Sequence, residues 1–196
     1  MRHIFLILTL SIIFVSCKKD NVQRMNDSEY FPNNVGNYWK YKYVDSLSNV
    51  SSFVDVNIIG ETILPNGQNA KIWTYTYTDH VDTSFVYQVG DTVKFLNQNF
   101  NIFNTYVIPL QLNNKWQNWS LDIDSIQVMQ QDTFILNNQT FDNSFLLEEN
   151  GVGPNWGRWT SEWFSPNIGM LTKIKKEFLF GLIDNSYWEL VEYHLK

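Results

Sequence analysis

Large aromatic side chains alternate with polar ones at a period of two residues, and this is the strongest constraint on the fold. Residues 38–45 place Trp39, Tyr41 and Tyr43 on one face of an extended segment and lysines on the other. Side chains alternate between the two faces of a β-strand in this way, whereas a helix repeats about every 3.6 residues. Residues 70–78 set aromatic residues against threonines in the same manner. The pattern predicts half-buried strands whose aromatic face is the buried one.

Segments of this kind follow one another along most of the chain, and none has the pattern of an amphipathic helix. Aromatic residues make up 16% of the sequence, which favours strands. We predict an all-β, antiparallel fold of roughly nine to eleven strands, as a strongly curved sheet, a barrel or a half-barrel, with little helix outside an N-terminal leader. The predicted strands are residues 38–45, 53–60, 70–78, 83–89, 92–96, 121–130, 132–136, 141–147, 159–164, 170–180 and 187–195.

Turn signals separate these segments, because Gly, Asn and Pro favour the backbone angles of tight turns. Residues 100–118 are irregular and rich in Asn, and Pro109 argues against a central strand there. Residues 151–157 are rich in glycine and are predicted to form a long loop. The predicted turns are Pro65-Asn66-Gly67, Gly90-Asp91, Asn137-Asn138, Pro166-Asn167 and Asp184-Asn185.

The N-terminal residues have the layout of a secretory leader. Arg2 and His3 precede an apolar run, residues 4–15, that is shorter than the roughly 20 residues of a membrane-spanning helix. Residues 14–17, Phe-Val-Ser-Cys, resemble the lipobox of bacterial lipoproteins, so we expect cleavage before Cys17 and attachment of acyl chains such as palmitate. The alternatives are an ordinary signal peptide followed by an unrelated cysteine, and an N-terminal transmembrane anchor.

The leader divides the chain into three parts. Residues 1–16 are the predicted signal peptide, residues 17–29 are the lipidated Cys17 with a flexible tether, and residues 30–196 are one β domain. We expect a lipid anchor in the outer membrane. Residues 18–20, Lys-Lys-Asp, partly resemble a surface-export signal but also suit a solvated tether. A periplasmic-facing domain and a surface-exposed one therefore both stay open.

The net charge and the single cysteine constrain the binding partners and the way in which the domain is stabilised. The formal net charge is −6 and becomes −7 when Arg2 is removed with the leader. An acidic chain without a cluster of Lys and Arg argues against nucleic-acid binding. Cys17 is the only cysteine, so we expect no disulfide, and the core alone must stabilise the domain.

Three short motifs are spread over most of the domain. They are residues 31–41, with Phe-Pro and then Gly-Asn-Tyr-Trp-Lys-Tyr; residues 108–116, with Ile-Pro-Leu and a Trp; and residues 163–170, Trp-Phe-Ser-Pro-Asn-Ile-Gly-Met, followed by the strand that ends at residues 189–193. Together they resemble Bacteroidetes-type lipoproteins of the kind grouped as DUF3108-like or TapB-like. The middle motif departs from that pattern, because Asn114 stands where glycine is expected. The resemblance implies a mostly β, exported domain and brings no catalytic residue with it.

Candidate catalytic groups are few. Asp79, His80 and Asp82 could offer a metal mixed nitrogen and oxygen ligands, but a polar hairpin tip has the same composition. Asp122 and Asp124 share a strand face and could be a glycosidase-like or cation-binding pair, as well as a merely solvated face. No Gly-x-Ser-x-Gly motif is present. We predict no catalytic residue, no metal and no cofactor.

The surplus of aromatic residues favours ligand binding. Trp73, Tyr75 and Tyr77 on one strand, with Trp156 and Trp159 further along, are the candidate ligand-contacting side chains. A curved sheet lined with aromatic rings can hold a lipid or a glycan in its concavity. We predict a membrane-anchored, non-enzymatic binding lipoprotein whose protein partner, if any, is unknown. The alternatives are a structural or interaction subunit of an outer-membrane complex and, third, a glycan hydrolase using the paired carboxylates.

Overall fold

The computed structural model describes residues 31–46, 50–118, 125–153 and 155–196. The predicted signal peptide, Cys17 and the tether lie outside the described residues, as do Asp122 and Asp124. Within the described ranges there are twelve strands. None of the described segments is a helix that could cross a bilayer. In chain order the strands are β1 (Tyr38–Asp45), β2 (Val50–Ile63), β3 (Asn69–Thr76), β4 (Val81–Val89), β5 (Thr92–Leu96), β6 (Ile102–Val107), β7 (Lys115–Gln117), β8 (Ser125–Leu136), β9 (Gln139–Gly153), β10 (Trp156–Ser165), β11 (Gly169–Leu179) and β12 (Leu182–His194).

All twelve strands belong to one antiparallel sheet in the order β6-β5-β4-β3-β2-β1-β12-β11-β10-β9-β8-β7. Consecutive strands pair with one another in each half of the chain, and β1 pairs with β12 to join the halves. The prediction of an all-β antiparallel fold is confirmed, with a strand number slightly above the predicted range.

The two outer strands of the sheet, β6 and β7, approach each other through side chains. Trp116 Nε1 on β7 donates a hydrogen bond of 2.8 Å to the carbonyl oxygen of Thr105 on β6. Asn118 Nδ2 lies 3.4 Å from Asn104 Oδ1 beside it. These contacts hold the two edges together, so the sheet curls into a nearly closed barrel.

The sequence pattern missed both outer strands and misjudged several boundaries. β6 and β7 lie in the Asn-rich region that was predicted to be irregular, while β6 ends before Pro109, as its missing N–H requires. Predicted strands 121–130 and 132–136 are one strand, β8, within the described residues. The predicted loop at residues 151–157 is mostly strand, because β9 runs to Gly153 and β10 begins at Trp156.

Turn positions follow the residues that tolerate positive φ. Asn137 and Asn138, with φ of 51° and 63°, form the predicted turn between β8 and β9. The turn predicted at Asp184-Asn185 is wrong, because both residues lie inside β12. Phe180 and Gly181 form that turn instead, with φ of 48° and 87°. Gly181 adopts a positive φ without a steric penalty, whereas Phe180 adopts the same region although its side chain disfavours it.

The inner face of the sheet carries the predicted aromatic stripe. On β1, Trp39 and Tyr41 are buried, and the neighbouring strand β2 contributes Val54, Val56 and Ile58, which are at most 2% exposed. These residues alternate with more exposed ones along each strand. The period-two pattern of these strands therefore identified their buried face correctly.

The segment before β1 fills one end of the barrel. Phe31 is buried, and its ring lies 5.3 to 5.9 Å from four other aromatic rings, those of Trp73, Phe95, Tyr106 and Phe164. The segment turns on Asn37, whose Nδ2 donates to the carbonyl of Pro32 (2.9 Å) and whose Oδ1 accepts from the backbone N–H of Lys196 (2.9 Å). Both chain ends of the described domain therefore meet at this closed end.

Replacing Asn37 by alanine should lower the free energy of unfolding by about 2 kcal/mol. The side chain is 1% exposed, and its loss leaves the carbonyl of Pro32 and the N–H of Lys196 without their partners. Urea unfolding of the two proteins measures the difference. The exposed Asn66→Ala serves as the control, and equal stability of all three proteins would contradict the proposed clamp.

Candidate functional site

A cavity of about 400 Å³ lies on the inner face of the sheet. Strands β1 to β6 and β10 to β12 all contribute lining residues, so the cavity is enclosed by both halves of the chain. A barrel of about eight strands is just wide enough for its own side chains to fill, and the diameter grows with strand number. Twelve strands therefore leave space that even large aromatic residues do not occupy.

Aromatic rings form the deep end of the cavity, next to the plug made by Phe31. Trp39 and Trp73 stack with ring centroids 5.1 Å apart. The indole N–H of Trp39 donates to the carbonyl of Ile168 (2.7 Å), and that of Trp73 donates to Asn33 Oδ1 (2.8 Å). Because the polar edges of these rings are already hydrogen-bonded, they offer the cavity only their apolar faces.

Three half-buried aromatic residues lie at the other end. The Tyr43 ring lies 5.1 Å from that of Trp188 and 6.0 Å from that of Tyr77, at interplanar angles of 66° and 86°. Tyr77 and Trp188 are 6.1 Å apart at 82°, so all three pairs are edge to face. The carboxylates of Asp82 and Asp184, both more than half exposed, also line the cavity here. We call this end, defined by these five residues, the mouth.

A buried carboxylate, Glu162, lies on the wall of the cavity and is 4% exposed. Its Oε1 accepts a hydrogen bond of 2.8 Å from the hydroxyl of Tyr106, and its Oε2 lies 3.2 Å from Lys173 Nζ. A buried charge needs such partners, since desolvation without them is costly. Both oxygens of Glu162 are therefore engaged.

A second chain of ion pairs runs along the inner face of β10 to β12. Arg158 Nη2 donates to Glu177 Oε1 at 2.8 Å and Arg158 Nη1 lies 3.6 Å from Glu149 Oε1. Lys175 Nζ lies 2.6 Å from Glu177 Oε2 and 2.8 Å from Asp184 Oδ2. One wall of the interior is thus charged, while the wall formed by β1, β3 and β5 is aromatic.

The phenols around Glu162 stay protonated far into the alkaline range. Burial raises the pKa of Tyr41 and Tyr106 well above 10, and the negative charge of Glu162 raises both further. Burial also raises the pKa of Tyr75. The hydroxyl of Tyr41 donates to the carbonyl of Met170 (3.0 Å), which requires the neutral form. At neutral pH the phenols of Tyr41, Tyr75 and Tyr106 are therefore protonated.

Alkaline titration should distinguish these phenols from exposed ones. A pKa that is raised in the folded state contributes stability below the ordinary value of 10, and this contribution is lost as pH rises above it. We expect the phenolate absorbance of the native protein to lag behind that of the protein in urea, and stability to fall above pH 10. Simultaneous ionisation of all 10 tyrosines in the native protein near that pH would contradict the burial.

Three of the five predicted ligand-contacting residues, Trp73, Tyr75 and Tyr77, line the cavity together. The other two lie elsewhere. Trp159 projects from the outer face of β10, where Lys176 Nζ lies 5.2 Å from its ring centroid. Trp156 packs against Gly153 across the β9–β10 hairpin, where no larger residue would fit. Contact of any of the five with a ligand stays a prediction.

The sequence pattern missed Glu162, Lys173 and Lys175. On β10 the candidate ligand-contacting residue was Trp159, but Thr160 and Glu162 are the buried residues. Trp163 stacks on Phe134 of β8 at 4.7 Å. The usable signal was weaker: Arg158 and Glu162 share one face of β10, and Lys173, Lys175 and Glu177 share one face of β11. Opposite charges on neighbouring strands can pair across the sheet.

The Asp79–His80–Asp82 cluster is the tip between β3 and β4. His80 Nδ1 lies 2.7 Å from Asp79 Oδ1, His80 Nε2 lies 3.7 Å from Asp82 Oδ2, and the imidazole stacks on Tyr77 at 4.3 Å. In the ranges given above, no three His, Cys, Asp or Glu side chains are placed to hold a metal. The geometry is that of a turn whose histidine is held by its neighbours.

Comparison with known proteins identifies the fold. A protein of Bacteroides fragilis NCTC 9343, assigned as exported and with a YmcC-like fold, superposes with a TM-score of 0.51 at 12% identity, over 84% of this chain and 98% of its own. A protein of Parabacteroides distasonis ATCC 8503, assigned as a lipoprotein, gives a TM-score of 0.42 at 15% identity, over the same shares. No family model and no curated protein matches the sequence. The DUF3108-like or TapB-like assignment therefore stays a prediction.

Proposed function

We propose that this chain is an exported, lipid-anchored protein of the outer membrane that binds an amphipathic, lipid-like ligand in its cavity and catalyses no reaction. The observation that carries the proposal is the cavity of about 400 Å³ with an apolar deep end and a polar mouth. This volume falls within the roughly 300 to 1,000 Å³ typical of small-molecule sites. Export is supported by the leader and by the name of the Bacteroides fragilis protein that has this fold.

The deep end favours an apolar group over a sugar ring. The indole N–H groups of Trp39 and Trp73 and the hydroxyl of Tyr41 already donate to protein oxygens. A sugar placed there would lose water from its hydroxyls without regaining these donors, which costs about 1–3 kcal/mol for each unpaired group. An alkyl or acyl chain has no such requirement and gains from burial against the aromatic faces.

The arrangement around Glu162 favours binding over catalysis. Both carboxylate oxygens are engaged by Tyr106 and Lys173, and Lys173 in turn is held by the carboxylate. A general acid or base must lie within hydrogen-bond reach of the proton that it transfers, and a carboxylate 4% exposed and held on both oxygens is poorly placed for this. We therefore assign this ion pair to shaping the wall of the cavity.

Native mass spectrometry tests the proposal on a soluble Cys17→Ser form exported in its natural host. A mass that is lost on denaturation, and that fragments as a lipid, is the expected result. A mass that fragments as a sugar would show that the ligand is a glycan and not a lipid. A bare chain would contradict ligand binding and favour the interaction-subunit alternative, to be pursued by pull-down from gently solubilised membranes.

Two serine-to-phenylalanine substitutions, one inside the cavity and one outside it, test whether the ligand binds in the cavity. Ser186 lines the cavity and is 5% exposed, so Ser186→Phe should fill part of the space and reduce the ligand-bound fraction at least tenfold. Ser161 lies on the outer face of β10, so Ser161→Phe should leave that fraction unchanged. Thermal unfolding of both variants verifies that they fold. Equal ligand occupancy in the two folded variants would place the ligand outside the cavity.

A further inference from the structure

We propose that the head group of the bound ligand is a cation, an ammonium or quaternary ammonium group that lies at the mouth. This inference rests on the proposed function, since it names the chemistry of the end of the ligand that the polar mouth would hold. Two independent features of the described residues support it: the balance of charge at the mouth and the faces of its aromatic rings.

Carboxylates outnumber free cations around the cavity. Asp82, Glu162 and Asp184 line it, against Lys173 and Lys175. Both lysines are already used, because Lys173 pairs with Glu162 and Lys175 pairs with Asp184 and with Glu177 behind it. Asp82 is 59% exposed at the mouth, and Nε2 of His80 lies 3.7 Å from its Oδ2. The mouth therefore presents net negative charge to an entering ligand.

An anionic head group would find no ready partner there. Beside Lys175 it would compete with Glu177 and Asp184 for the ammonium group and would be repelled by both carboxylates. A cationic head group can instead approach Asp82 and Asp184 without breaking any of these ion pairs. The arrangement discriminates between head groups mainly by what the anion would disrupt.

The rings of the mouth suit the same kind of ligand. Tyr43, Tyr77 and Trp188 are half-buried, and an uncovered aromatic face attracts a cation within about 6 Å of the ring centroid. The imidazole of His80 stacks on one face of Tyr77, so we assign this contact to Tyr43 and Trp188. The protein already makes such contacts elsewhere, as Lys176 does over Trp159. The carboxylates also influence the tyrosines of the mouth. Burial raises the pKa of Tyr43 most and the charge of Asp184 raises it further; burial and then Asp82 do the same for Tyr77. The aromatic rings and the carboxylates of the mouth thus both favour a cationic head group.

A panel of ligands with one tail and three head groups tests the inference. Decyltrimethylammonium, decyl maltoside and decyl sulfate, each below its micelle concentration and at one fixed ionic strength, are titrated into the delipidated Cys17→Ser protein by calorimetry. We expect the ammonium compound to bind at least tenfold more tightly than the sulfate, with the maltoside between them. Ser186→Phe should abolish binding of all three compounds, which would show that the measured heat comes from binding in the cavity.

Paired substitutions identify the groups responsible. Asp82→Asn and Asp184→Asn together should reduce the preference for ammonium over sulfate to less than threefold, with the affinity for the maltoside unchanged. Asp142→Asn, an exposed carboxylate on β9, is the charge-matched control and should preserve the preference. Cavity binding with sulfate equal to or tighter than ammonium would overturn the cationic head group alone. Failure of every compound to bind would overturn the amphipathic-ligand function, and the head-group inference with it.

Discussion

Replacing Lys173 by methionine should lower the free energy of unfolding by about 3 kcal/mol, one of the largest effects we expect for a single charged residue. Glu162 would keep the hydrogen bond from Tyr106 but lose its counter-ion at 3.2 Å. Removing one member of a buried ion pair leaves an uncompensated charge, which typically costs about 3–5 kcal/mol. The lower end applies, since Lys173 is itself 25% exposed. Chemical denaturation at neutral pH measures the loss.

Two further variants separate this cause from a general effect of losing a lysine. Lys176→Met removes the same charge from the outer face of β11 and should cost less than about 1 kcal/mol. Lys173→Met combined with Glu162→Met should recover part of the stability, because an apolar pair replaces both charges while the hydroxyl of Tyr106 loses its acceptor. A double variant as unstable as the single one would show that the ion pair is not the source of the loss.

Replacing Phe31 by alanine should cost about 3–5 kcal/mol, the range for deleting a buried aromatic ring. The ring contacts four other aromatic residues at the closed end, so its removal opens a void that rigid neighbours cannot fill. The same change should extend the cavity toward the chain ends. Thermal unfolding reports the stability, and binding of longer alkyl chains reports the extension.

Phe53→Ala is the matched control, because Phe53 is 53% exposed on β2 and packs beneath Lys40 on the outer surface. It should change the stability by less than about 1 kcal/mol. If Phe31→Ala were no more harmful than Phe53→Ala, the segment before β1 would not be the plug that its contacts indicate.

The sequence pattern predicted strands well where one face is uniformly aromatic or aliphatic and the other polar. On β1, Trp39 and Tyr41 could only face inward, because their neighbours are lysines. On β10, Trp159 and Trp163 alternate with Thr160 and Glu162, and the pattern predicts two faces without saying which is buried. That choice depends on what the neighbouring strands offer, and β11 offers Lys173 to Glu162.

The cavity itself could not be predicted from the sequence. Its volume depends on how many strands close the sheet and on how far the edges β6 and β7 approach, and both strands lie in a region without clear periodicity. Trp73, Tyr75 and Tyr77 were identified because they occupy alternate positions of one strand. Trp188 and Asp184, which meet them from β12, are distant in sequence and became candidates only when the sheet order was known.

The pairing of β1 with β12 makes completion of the sheet wait for β12. Residues 38–45 pair with residues 186–194, so the first strand keeps an open edge until β12 has been synthesised. Contacts this distant in sequence slow folding, since loop closure must precede them. Strands β1 to β6 can form a meander earlier, but its exposed edge is then a template for wrong pairing between chains. We therefore expect that deletion of β12 would cause aggregation, seen as light scattering, because β1 and β11 would then both keep open edges.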